Sequence, residues 1–205
     1  MTTDKDYKKE WFTKSRVDYF SPFVNLWLAC NSWYNFHYAT LSGDRAHLDV
    51  LKTDASKQNV LYRKFNTIFS SAPSKEQKSL FSNLELLHYS LARAEIQPSK
   101  WKQPLKFSSM LIDFSNKDDR MGYVNVLIDE ARKADGSLKA NINGIDLGEV
   151  VIENDAQKIF AGTLEIIYQS RCMLVHGELE PTDENHEVVK YCYLILHDLM
   201  KDFCS

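Results

Sequence analysis

Apolar residues recur every three to four positions along most of the chain, the spacing that gathers them on one face of an α-helix. Val24, Trp27, Leu28, Asn31, Tyr34 and His37 fall at this spacing, and Leu26, Ala29, Cys30 and Trp33 add a second flank. The pattern predicts a helix from about Pro22 to Tyr38, buried on much of its circumference, with Ser21 as N-cap and Pro22 at the first helical position. Ahead of it, residues 4–15 mix charges with Tyr7, Trp11 and Phe12 and predict a short, partly docked helix. Leu41 to Asp44 reads as a turn and Arg45 to Lys52 as a short helix. Asp54 or Ser56 is then a candidate cap for a helix to about Phe69, carried by Val60, Leu61, Phe65 and Ile68. The break at Ser70 to Ser74 is followed by Ser74 and Gln77 at capping-box spacing, opening a helix to about Ala94 on Leu80, Leu84, Leu87 and Leu91. His88 lies within that pattern and reads as a core residue.

The texture changes at Gln97. Pro98, Trp101, Pro104, Phe107 and the lysines 100, 102 and 106 predict an ordered loop more readily than a nucleic-acid track, because acids follow closely. Met121 to Lys133 returns to helical spacing on Val124, Leu127, Ile128 and Ala131, with Asp118 and Asp119 near the positive end of the helix dipole. Leu138, Ala140 and Ile142 then alternate with polar residues up to Asn143-Gly144, a β-hairpin signal. Glu153-Asn154-Asp155 opens a long helix whose stripe is Ile159, Phe160, Thr163, Ile166, Ile167 and Ser170, and Gly177 stands just past its end. A connector at Glu180 to Asp183 leads to a last helix reaching Phe203 on Val188, Val189, Cys192, Ile195, Leu196 and Leu199, an antiparallel neighbour of the one before. The expected fold is all-α: an antiparallel helical bundle forming one domain over residues 1–205, with a small β-hairpin or loop insertion at about 97–152.

Composition narrows the function classes. With 7 glycines and 5 prolines in 205 residues, the chain fits neither a disordered segment nor a turn-rich β fold. A net charge of −3 supplies no global field to attract nucleic acid, so RNA contact would need a local basic site. Met1 to Glu10 carries no apolar core, and no run approaches the length of a membrane span, so neither a signal nor an anchor is expected and the expected location is the cytoplasm. Cys30, Cys172, Cys192 and Cys204 form no C-x-x-C pair; reduced thiols are expected, with Cys30 and Cys192 in the core.

The chemistry concentrates in Tyr168 to Glu178, which joins a fixed cation, Arg171, to a group that titrates near neutrality, His176, just before a glycine stop. An arginine grips phosphate with parallel hydrogen bonds, and a histidine moves protons near pH 7. The pair suffices for RNA cleavage without a metal or other cofactor: the 2′-hydroxyl attacks, histidine handles the proton and arginine steadies charge on the phosphate. On a regular helix, five residues turn by about 140° and rise by about 7.5 Å, so the two side chains diverge. Either the helix loosens near Gly177 or the site is shared across a two-fold dimer, the favoured version.

Arg171 to His176 matches the R-x4-H signature of the HEPN superfamily, which includes ribonucleases of prokaryotic toxin-antitoxin, abortive-infection and CRISPR systems. Ile167-Tyr168 before the arginine, Gly177 after the histidine, the closing helix and Asn31-Ser32-Trp33-Tyr34 in the early helix add to the likeness, which covers chiefly residues 21–40 and 155–203 and resembles stand-alone proteins with an R-C-x-x-x-H-G core. The resemblance implies an all-α bundle, usually dimeric, in which Arg171 and His176 are catalytic, RNA is the substrate, and an antitoxin or defence-system protein can be the partner. Many active members carry Asn, Asp or His after the arginine where this chain has Cys172; the polar role then passes to Asn31 or Glu178. Three other readings stay open: a non-catalytic RNA-binding or protein-interaction module, Arg171 and His176 as helix-end caps, and an incomplete metal site on Cys172 and His176.

Overall fold

The computed structural model describes residues 7–9, 12, 15–113 and 122–203. These residues are mostly helical: α1 (Phe20–His37), α2 (Asp44–Thr53), α3 (Val60–Phe69) and α4 (Lys75–Ala94) precede a stretch of loops and short strands, and α5 (Ala156–Val175) and α6 (Asp183–Met200) close the chain. Of the short N-terminal helix expected at residues 4–15, Tyr7 to Lys9 and Phe12 are helical and exposed and Ser15 stands in a turn; the rest lies outside the described residues.

The central element is α5. From Ile159 to Ile167 every residue is buried, because α2, α3 and α6 and the first short strand all pack on it. Asp155 caps it by accepting a hydrogen bond from the Lys158 backbone N–H at 2.9 Å. At its far end, the Glu178 N–H donates to the Met173 carbonyl (2.8 Å) and the Gly177 N–H to the Leu174 carbonyl (3.3 Å), the paired bonds of a Schellman closure. Gly177 holds φ +71° with open space where a Cβ would stand, so its role is conformational freedom and not close packing. Gly177→Ala is therefore expected to cost about 1–2 kcal/mol, visible as a lowered urea midpoint with an unchanged m-value.

In α1 the sequence pattern is corrected in two ways. The helix begins at Phe20 with Tyr19 at the cap position, and Ser21 and Pro22 lie within its first turn; Asp18 accepts the Phe20 N–H (2.9 Å) and the Ser21 hydroxyl (3.2 Å). Phe23, Trp27, Cys30, Trp33 and Tyr34 form the buried face, whereas Leu28 (55 % exposed) and Phe36 (80 %) point outward, so this helix is one-sided. The α3 cap is Asn59, not Asp54 or Ser56: its Oδ1 accepts from the Tyr62 N–H, while its Nδ2 donates to the Leu51 and Asp54 carbonyls at 2.7 and 2.8 Å. Removing a fully buried side chain with three such bonds should destabilise; Asn59→Ala is expected to lose about 2 kcal/mol in a urea titration. Ser74 caps α4 as expected, but the Gln77 amide turns to the Phe69 and Ser71 carbonyls instead of closing the reciprocal box.

Residues 97–152 depart furthest from the expected pattern. The helix predicted over Met121 to Lys133 is absent from the described part of that span; β2 (Gly122–Val124) pairs antiparallel with β1 (Met110–Asp113), and Leu127 bridges Ile152. Asp118 and Asp119 lie outside the described residues. Val126, which the helical stripe leaves out, is fully buried, as extended pairing requires and helical spacing does not. A hairpin does form, but later than expected: β3 (Gly144–Asp146) pairs with β4 (Val151–Glu153), and the turn falls at Leu147 to Val150. Asn143-Gly144 is thus a strand start. Gly144 is needed there because a Cβ would stand 2.7 Å from Val151 Cγ1 and 2.8 Å from Ile128 Cδ1. The two small sheets make the fold helical with β additions, not purely α.

This region joins the main core. Leu105, Phe107, Met110, Val126 and Ile152 are buried with the helices, and Gly162 of α5 lets Met110 approach so closely that a Cβ would lie 2.3 Å from its sulfur. His88 stands half-buried beside Phe107, at the edge of the core and not within it as expected, and burial lowers its pKa. The last helix, α6, also packs on α5, with the Cys192 thiol 3.8 Å from the Ser170 hydroxyl and its pKa pushed up to about 12 by burial.

Candidate active site

Arg171 sits on the last full turns of α5, half-buried against α1 and α2. Its guanidinium lies over the Trp27 ring, 5.7 Å from the centroid, and Nη1 is 3.2 Å from Asp44 Oδ2. Nη1 also donates to the Cys172 sulfur at 3.9 Å. Asp44 is the first residue of α2, and its other oxygen accepts from Asn31 Nδ2 (2.8 Å) and from the Tyr34 hydroxyl (2.9 Å). Asn31 Nδ2 in turn lies 2.6 Å from the Tyr34 hydroxyl, and Asn35 Nδ2 donates to Asn31 Oδ1. Burial and then the Asp44 carboxylate push the Tyr34 phenol well above its ordinary value, so it stays protonated as a donor.

Two of the expected supporting residues therefore reach Arg171, Asn31 through Asp44 and Cys172 directly. Asn31 both ties α1 to α2 and faces the site. Cys172 is half-buried beside Tyr168, whose phenol is pushed up by burial first and by the neighbouring thiol second. His176 and Glu178 are not drawn into this network. His176 is the exposed C-cap of α5, and its ring makes no hydrogen bond or ion pair with the described residues; the Glu178 side chain is likewise exposed and unpaired among them. The helix does not loosen before Gly177, so a single chain brings Arg171 and His176 together only through the helix that carries both.

Beneath Arg171, a buried charge cluster sets where α2 lies. Glu165 of α5 is fully buried and accepts both Nη1 (2.8 Å) and Nη2 (3.0 Å) of Arg45, the Lys52 ammonium, and the Gln169 amide (2.6 Å). Burial pushes the Glu165 carboxyl up, but Lys52 and Arg45 together hold it below its usual range. Lys52 moves down to about 8, because burial and the neighbouring Arg45 outweigh the pull of one shared carboxylate. With Arg45 and Lys52 both fixed to α5, the preceding residue, Asp44, is carried to Arg171.

Sequence reasoning passed over Asp44, Tyr34, Trp27 and the Glu165 cluster. An acid inside the otherwise apolar run from Ile159 to Ile167 was the available signal for Glu165, since a buried carboxylate requires cations. Asp44 had no such signal; only the packing of α2 reveals it. Cys172 and His176 are joined by no third metal-ligating group, and among the described residues no set of three His, Cys, Asp or Glu side chains is arranged to hold an ion. A cleft of about 320 Å³ near the hairpin, lined by Ile128, Arg132, Glu149 and Val151 among others, includes no member of the Arg171 network. Among the described residues, no helix is long and apolar enough to cross a membrane.

Fold and site together define a mostly helical protein with an oriented arginine near the end of its central helix and an exposed histidine at that helix's cap. Comparison of the chain with protein-family models, curated proteins and solved structures finds no match.

Proposed function

We propose that the protein is a metal-independent endoribonuclease of the HEPN type, acting in the cytoplasm in a defence, abortive-infection or toxin-antitoxin setting, with Arg171 and His176 as its catalytic residues in a dimeric site. The carrying observation is the placement of Arg171: a guanidinium held by Asp44 and Trp27 near the end of the central helix, five residues before an exposed imidazole with no partner among the described residues. In the mechanism this supports, an RNA 2′-hydroxyl attacks the adjacent phosphorus, the P–O5′ bond breaks, and a 2′,3′-cyclic phosphate and a 5′-hydroxyl result. A histidine takes the proton from the 2′-hydroxyl or gives one to the leaving oxygen, and Arg171 neutralises the added charge on the phosphate. DNA lacks the attacking hydroxyl.

The dimer supplies what one chain lacks, a second R-x4-H helix facing the first. Apolar surface is exposed at Val175, the residue before His176 (49 %), and at Leu28 on the outward face of α1 (55 %). The alternative is a non-catalytic RNA-binding or interaction module, for which the acidic partner of Arg171 and the thiol at position 172 speak.

The test incubates purified protein with single-stranded RNA in chelator, beside Arg171→Ala. The expected result is cleavage by the wild type to 2′,3′-cyclic phosphate ends, and loss of cleavage in the variant. Intact RNA with the wild type, or equal cleavage by both proteins, would leave the interaction-module reading.

A further inference from the structure

Asp44 is a positioning residue for Arg171, we infer, and the edge of the guanidinium that it leaves open, Nε and Nη2, is the phosphate-binding edge; this rests on the ribonuclease reading above. The geometry divides the guanidinium into two sides. Nη1 faces Asp44 Oδ2 at 3.2 Å and the Cys172 sulfur at 3.9 Å, whereas Nε and Nη2 donate no hydrogen bond within the described residues. Three N–H groups are therefore unused on a side chain that is only 17 % exposed. Nε and Nη2 are the pair whose parallel N–H groups match two phosphate oxygens.

A carboxylate beside an arginine can act in two opposite ways. It can occupy the cation and compete with phosphate, or it can hold the cation still while another edge binds. Competition would be strongest with both oxygens on the Nε/Nη2 edge. Asp44 instead commits Oδ1 to Asn31 and Tyr34 and offers Oδ2 to Nη1 alone. The carboxylate cannot turn towards Nε without giving up the two donors on Oδ1. Its own backbone is fixed by the Arg45 and Lys52 contacts to Glu165, and the Trp27 ring sets the plane of the guanidinium from below.

The experiment compares the wild type with Asp44→Asn and Tyr34→Phe, the second keeping the ring packing and removing one donor to Oδ1. Two readouts are taken: kcat and KM on single-stranded RNA, and the heteronuclear NOE of the Arg171 Nε–Hε signal in the RNA-free protein, assigned by its disappearance in Arg171→Lys. Asp44→Asn is expected to lower kcat by about 10- to 100-fold, with KM changed by less than about threefold, as misplacement of a transition-state group predicts. Tyr34→Phe should lower kcat by a smaller factor. In both variants the Nε–Hε NOE falls towards that of a solvent-exposed arginine. Cleavage by Asp44→Asn at or above the wild-type rate would overturn the inference and make Asp44 a competitor of phosphate. A wild type that leaves RNA intact would instead remove the ribonuclease reading; the NOE then decides the orientation claim, which an unchanged value in Asp44→Asn overturns.

Discussion

Glu165→Ala is expected to lose about 3–5 kcal/mol of stability, the cost of leaving the buried Lys52 ammonium without its nearest carboxylate. The side chain has no exposure, and it accepts hydrogen bonds from Arg45, Lys52 and Gln169. Lys52 is as deeply buried as Glu165, so it cannot turn to water when its partner is removed. Arg45 can, because its side chain is 35 % exposed and Asp49 lies 3.2 Å from its Nε. A double variant, Lys52→Met with Glu165→Leu, separates the cost of an orphaned charge from the worth of the pair: it should recover most of the lost stability. Urea unfolding of the three proteins gives the comparison; a single variant within about 1 kcal/mol of the wild type would show that the cluster does not tie α2 to α5.

The same cluster shapes the response to pH. The Glu165 carboxyl has a folded pKa below its ordinary 4.5, so its stabilising contribution is complete above 4.5 and is lost as the pH falls through the folded value. Lys52 has the opposite sign. Its folded value of about 8 lies below 10.5, so the unfolded chain binds more protons between those values and this group favours folding increasingly as the pH rises from 8 to 10.5. Urea midpoints should therefore fall steeply on acidification, and in Glu165→Leu with Lys52→Met both slopes should flatten.

The second large effect is on catalysis. His176→Ala is expected to reduce RNA cleavage by about 10²- to 10⁴-fold, the usual contribution of a positioned proton-transfer group. Its stability should change by less than about 0.5 kcal/mol, because the ring is exposed and bonds to none of the described residues. That separation matters: a helix-end cap would show the reverse, lost stability and no cleavage to lose. Mixing His176→Ala with Arg171→Ala subunits tests the shared site further. If each site takes its arginine from one chain and its histidine from the other, mixed dimers regain cleavage that neither variant has alone. Initial rates on a labelled single-stranded RNA, with unfolding measured in parallel, decide between these outcomes.

Helix placement was legible in the sequence wherever an apolar stripe met a clear stop. Leu80, Leu84, Leu87 and Leu91 mark α4, and Gly177 marks the end of α5. The span from Val124 to Ala131 misled because its spacing imitates a helical stripe, while the pairing that decides its shape lies with Met110 and Ile152, remote in sequence. Asn143-Gly144 misled in the same way: a glycine that suits a hairpin turn is kept there for lack of a side chain against Val151. At the candidate site, Arg171, His176 and Asn31 could be chosen from the sequence, since their chemistry is intrinsic to the side chain. Asp44 and Tyr34 could not, because their part depends on how α2 is docked.

The Arg45–Glu165 contact joins residues 120 positions apart. A chain made from its N-terminus exposes α1 and α2 on the ribosome long before α5 exists, so Asp44 waits for its arginine until α5 has been made. A truncated product ending before residue 165 has neither half of the motif nor the carboxylate that anchors α2. Termination before α5 therefore yields fragments without the candidate site, which becomes complete only once that helix has been made.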